Sequence, residues 1–166
     1  MKENLIAPCG MNCRLCIAYQ FKEMDLNKKG WQRIGEQKMI KVYLAAFPML
    51  YEGEDIEVLY RVFQDDILVK KDEFYLEYVK PAVVGLHAVL AVLSKLEEFK
   101  EEEITIMIND SALNEIIKGS CTTKNGDVLK MASKLKKQMT KFKNLSFINV
   151  TKDKASLAKW KEIIED

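Results

Sequence analysis

No run of apolar residues in this chain of 166 reaches the roughly 18–20 that a membrane-spanning helix needs. The first apolar stretch ends at Pro8-Cys9, too short for a signal-peptide core, so a cytoplasmic protein with no membrane partner is expected. Cysteine is scarce: four residues, three of them between positions 9 and 16, are too few and too clustered for a disulfide scaffold. Charge of one sign is missing as well. The 26 Lys plus Arg face 25 Asp plus Glu, which rules out a uniformly basic nucleic-acid binder and leaves only local patches to consider. There is no internal repeat and no low-complexity tract. What is present, 48% hydrophobic and 31% charged residues, suffices for one ordinary domain with a real core.

Two parts are expected: a short cysteine-bearing segment over residues 1–37, punctuated like loop by Asn27-Lys28-Lys29-Gly30 and Gly35, and a regular domain over 38–166. In the second part, Met39–Phe47 reads as a strand stopping before Pro48. Ile56, Val58, Tyr60 and Val62 alternate with Glu57, Leu59 and Arg61, as in a half-buried strand. Asp65-Asp66 suggests a turn into a third strand, from Ile67 to about Tyr75. Pro81 fits the first turn of a helix reaching about Phe99, apolar on most sides as if pressed against a sheet.

Ile104–Ile108 is a compact strand, and Asp110-Ser111 is suited to cap a short helix that stops near Gly119. Asn125-Gly126-Asp127 opens another helix with Val128, Ala132, Leu135, Met139 and Phe142 on one face. Leu145–Val150 and Ala155–Ile164 complete the order as a fifth strand and a last helix. A three-stranded meander followed by helix-linked strands predicts an α/β fold, a mixed five-stranded sheet with helices on both faces.

This order resembles the ribonuclease H fold over about residues 39–166. Ile106-Met107-Ile108-Asn109-Asp110-Ser111 is similar to that family's strand-to-helix phrase, and Ile116-Ile117-Lys118-Gly119 to the stop of the following short helix. Phe147-Ile148-Asn149-Val150 and Ala155-Ser156-Leu157-Ala158 resemble its last strand and last helix. The resemblance implies cleavage of RNA strands by a carboxylate cluster holding two divalent metals. The carboxylates themselves are mostly absent. Ala45 stands where the first-strand acid is expected, Gly85 replaces the acid of the long helix, and Ser156 that of the last helix. Asp110 alone remains, as a helix cap or a relic ligand, and Asp153 could reach the site only if the last helix begins early. The resemblance thus implies a catalytically degenerate domain, a nucleic-acid or protein binding module. The alternative is a metal-dependent nuclease with displaced ligands.

Cys9, Cys13 and Cys16 form C-x₃-C-x₂-C, a spacing at which three thiolates can converge on Zn²⁺ or an iron–sulfur cluster. The same spacing resembles radical S-adenosylmethionine enzymes, but no repeated βα units follow to build their barrel. The phrase Ala7-Pro8-Cys9-Gly10-Met11-Asn12-Cys13 is closer to an uncharacterised cysteine-rich family presumed to bind metal, whose further cysteines are missing from Lys28-Lys29-Gly30-Trp31. A fourth ligand would have to be Cys121, His87, an acid or a second chain. A metal- or redox-responsive module is therefore a third functional reading.

Twelve lysines and only two acids occupy Lys118–Lys161. Lys130, Lys134, Lys137 and Lys141 recur at spacings that put them on one helix face, opposite the apolar stripe. Such a face could track phosphates weakly and without sequence preference, or be simply solvated. Residues 51–77 carry nine acids against three bases, so self-association or an acidic protein partner would use the lysines equally well. His87, the only histidine, is expected to be a hydrogen-bonded packing residue on an apolar helix, and Trp31 and Trp160 are expected to pack.

Overall fold

The computed structural model describes residues 38–48 and 53–166. Three strands come first: β1 (Met39–Pro48), β2 (Ile56–Gln64) and β3 (Ile67–Leu76). Helix α1 (Val84–Lys95) precedes β4 (Glu103–Ile108), and α2 (Ser111–Lys118) and α3 (Gly126–Met139) precede β5 (Asn144–Asn149). Helix α4 (Lys154–Glu165) is last. The sheet order is β3-β2-β1-β4-β5; β1–β2 and β2–β3 are antiparallel, β1–β4 and β4–β5 parallel. This is the mixed five-stranded α/β architecture that the ribonuclease H resemblance implied.

Strand alternation sorts the core into two layers. Ile40, Val42 and Leu44 of β1 face a large cluster with Leu86, Val89 and Leu93 of α1 and Leu135 of α3. Tyr43 and Ala45 face the other way, against Val150, Trp160 and Ile164. Helices thus cover both faces, and β1 and β4, central and parallel, read as apolar runs because both their faces carry packing partners. Arg61 is the charged side chain buried among the described residues; its Nη1 donates to the carbonyls of Tyr60 and Asp72, 3.2 and 3.3 Å away.

Local chemistry sets the ends of the elements. Asp65 and Asp66 both adopt positive φ, 50° and 66°, the backbone of a two-residue hairpin turn. Helix α2 starts at Asp110, whose Oδ1 accepts from the Leu113 amide at 3.0 Å, and ends at Gly119 with φ 73°. Asn125 and Asp153 cap α3 and α4 in the same way. The helix expected over 81–99 is shorter: Pro81–Val83 and Glu97–Phe99 are 3₁₀ turns, and only Val84–Lys95 is α-helical. Its end falls at Leu96, which leaves helical geometry while burying its side chain completely. Among the described residues no helix is long and apolar enough to cross a membrane.

Candidate functional site

The parallel strands β1 and β4 end side by side, Leu44 opposite Ile108, so Ala45 and Ala46 run on beside Asn109 and Asp110. A cleft of about 250 Å³ opens there, with Leu44, Ala45, Ala46, Gly85, Asp110 and Trp160 in its wall. Three of the four positions singled out by sequence, Ala45, Gly85 and Asp110, therefore meet in one place. Ala45 and Ala46 point to opposite sheet faces, Ala45 toward Trp160 and Ala46 toward the α1 layer. A one-residue shift in aligning β1 therefore brings no acid to the cleft.

Gly85 and Asp110 are close neighbours. A Cβ built on Gly85 would lie 3.5 Å from Asp110 Oδ2 and only 3.1 Å from Leu113 Cδ2. The helix position that faces the aspartate thus carries no side chain, and Leu113 fills the space a longer one would use. One oxygen of Asp110 is taken by the α2 cap. Ser156 and Asp153 face each other instead of the cleft: Asp153 accepts from the amides of Ala155 and Ser156, at 3.3 and 3.2 Å, and from the Ser156 hydroxyl. These hydrogen bonds, from the hydroxyl first, hold the Asp153 carboxyl below its ordinary range. Ser111, Asn149 and Thr151 share hydroxyl and amide hydrogen bonds of 2.9 Å at the adjoining strand ends.

The divalent metal pair implied by the resemblance needs several carboxylate oxygens held together. Among the described residues no three His, Cys, Asp or Glu side chains gather in this way. The donor set around Asp110 does not fit a metal pair.

The lysines expected to share one face are all exposed, but they do not act alike. Lys141 lies beyond the end of α3 and pairs with Glu97 at 3.4 Å. Lys130 and Lys134 line a second, more open groove of about 470 Å³ between α3 and the chain leading into α1. Tyr78, Lys80, Asp127 and Met131 also line it. Lys80 and Asp127 pair across it at 2.8 Å; the hydrogen bond raises the Lys80 pKa and lowers that of Asp127. No sequence pattern singles out Tyr78 or Lys80, because only the packing of α1 on α3 brings them beside Lys130.

His87 is half-buried, and its Nδ1 is buried without a hydrogen-bond partner among the described residues, unlike the hydrogen-bonded residue expected. A packing role explains its place in an apolar helix. Trp160 packs as expected and also donates from Nε1 to the Leu44 carbonyl at 3.2 Å, tying α4 to the end of β1. Cys121 is an exposed free thiol. Cys9, Cys13, Cys16 and Trp31 lie outside the described residues.

No protein-family model and no curated protein matches the chain. Solved structures do. Ribonuclease H1 from the halophilic archaeon Halobacterium salinarum NRC-1 superposes with a TM-score of 0.63 at 13% identity, over 76% of this chain and 93% of that one. The LC11 ribonuclease H1, in complex with an RNA/DNA hybrid, gives 0.61 at 14% identity over 76% and 94%. The N-terminal ribonuclease H domain of a Mycobacterium tuberculosis protein gives 0.56 at 12% over 66% and 84%. At these identities the likeness establishes a ribonuclease H-like fold and nothing finer.

Proposed function

We propose that this domain binds nucleic acid without cutting it. The observation that carries the reading is the bare Gly85 beside Asp110, with Leu113 in the space a helix carboxylate would occupy. In-line displacement at a phosphodiester uses two metal ions roughly 3.5–4 Å apart, each fixed by acidic side chains. One aspartate already engaged as a helix cap supports neither ion. The solved neighbour that holds an RNA/DNA hybrid makes nucleic acid the first ligand to test. Among the described residues, Lys130, Lys134 and Lys137 pair with no carboxylate within 4 Å, so they can meet phosphates without first breaking an ion pair.

The test has two arms on the full chain. Incubation with a labelled RNA–DNA hybrid and Mg²⁺ or Mn²⁺ is expected to leave the hybrid intact, and anisotropy is expected to report binding that weakens linearly in log salt. Cleavage that disappears in Asp110→Asn would overturn the reading and restore a nuclease with displaced ligands. Absence of binding at low salt to RNA, DNA and hybrid alike would leave the lysine face merely solvated.

A further inference from the structure

We propose that the groove between α3 and the Tyr78–Lys80 segment is a single-strand subsite, which takes one unpaired nucleotide with its base on Tyr78 and its phosphates on Lys130 and Lys134. This rests on the nucleic-acid reading above and specifies the form of the ligand. Asp127, Lys130, Met131 and Lys134 are spaced three, four and seven residues along α3, so they share the helix face that forms one wall. Tyr78, Val79 and Val83 form the other wall, and Tyr78 remains 38% exposed, enough to offer its ring to a ligand.

The charges in the groove are not equivalent. The Lys80 ammonium is bound to Asp127, which leaves the phosphate-binding role to Lys130 and Lys134, one and two turns further along the helix. The Asp127 carboxylate repels a phosphate at its own end of the groove. A strand therefore gains most by placing its phosphates beside Lys130 and Lys134 and its base toward Tyr78 and Met131.

A paired duplex can use the lysines of such a site but not its aromatic face. Its bases are stacked on each other and leave only phosphates to meet the lysines, whereas an unpaired base has a free face for an aromatic ring. The volume of about 470 Å³ lies within the usual range of small-ligand pockets and suits one nucleotide unit rather than a helix of nucleic acid.

The test compares a short labelled oligodeoxythymidylate with a blunt DNA duplex of equal length, by anisotropy at low salt, on the full chain. The single strand is expected to bind more tightly. Tyr78→Ala is expected to weaken it by about 5- to 150-fold while leaving duplex binding unchanged, and Tyr78→Phe to retain parental affinity. Lys130→Glu with Lys134→Glu is expected to weaken both ligands and flatten the salt slope. Single-strand affinity unaltered by Tyr78→Ala, or a duplex preferred over the strand, overturns the subsite while the broader reading survives through its lysines. If neither ligand binds, both fall together.

Discussion

The strand-end cleft and the groove beside α3 divide the chemistry of this domain between them. The cleft is walled mainly by apolar groups, with Ala45 almost fully buried and Trp160 fixed against Leu44, and it contributes a single carboxylate. The groove is open, and its wall carries three ammonium groups with one carboxylate. Packing dominates the first and long-range electrostatics the second. A ribonuclease H-like backbone can thus be built with a single carboxylate at these strand ends, because the ends are stabilised by core contacts that do not depend on acids.

Substitutions should separate the two regions sharply. The largest effect is expected for Trp160→Ala. It empties a buried site, frees the Leu44 carbonyl and loosens α4 from β1, at a cost of about 3–5 kcal/mol in urea denaturation. Lys130→Glu in the groove should change stability by less than about 0.5 kcal/mol. Comparable losses from the two would mean that the groove is part of the core after all.

Restoring an acid to the cleft by Gly85→Glu comes next. The new Cβ must push Leu113 Cδ2 from 3.1 Å, so overpacking should cost about 1–3 kcal/mol despite the gain in helix propensity. A melting temperature equal to the parent's would show that the cleft tolerates a carboxylate, and would weaken the case against metal there.

Asp110→Ala should cost about 1 kcal/mol through loss of the α2 cap, and Asp110→Asn almost nothing, since asparagine caps equally well. A functional carboxylate would not show that rescue. If Asn and Ala are equally damaging, Asp110 does something beyond capping.

A weaker, distributed effect should appear on acidification. Burial pushes the Asp72 carboxyl upward, but hydrogen bonds from Lys95 at 3.2 Å and the Tyr60 hydroxyl at 3.0 Å outweigh it and leave the pKa lowered. Asp153 is lowered as well, by its cap bonds. A carboxyl with a lowered folded-state pKa stabilises the fold above its unfolded value near ~3.9, and that contribution is lost as pH falls through the folded value. Urea midpoints should therefore drop below about pH 4, and Asp72→Asn should shrink the drop. An unchanged midpoint in that window would mean that these contacts are too solvent-exposed to matter.

Much of the architecture is legible in the residues themselves. The caps at Asp110 and Asn125, the stop at Gly119 and the turn at Asp65-Asp66 are set by residues adjacent in the chain, and each lies where the sequence places it. The 3₁₀ ends around α1 were not legible, since Leu96 leaves the helix to meet a core assembled from distant segments. That Ala45, Gly85 and Ser156 carry no acid could be read residue by residue. That Ser156 spends its hydroxyl on Asp153, away from the cleft, could not.

The sequence by itself determined the element types, their order and the lack of an acid at Ala45, Gly85 and Ser156, because apolar periodicity, capping and residue identity act over a few residues. Tertiary structure alone decided that Gly85 lies bare against Asp110, that Leu113 fills the space between, and that Lys80 closes on Asp127 across 47 residues of chain. Those juxtapositions depend on strand register and on helices packed over a shared core, and such long-range pairings leave no local signal in the order of residues.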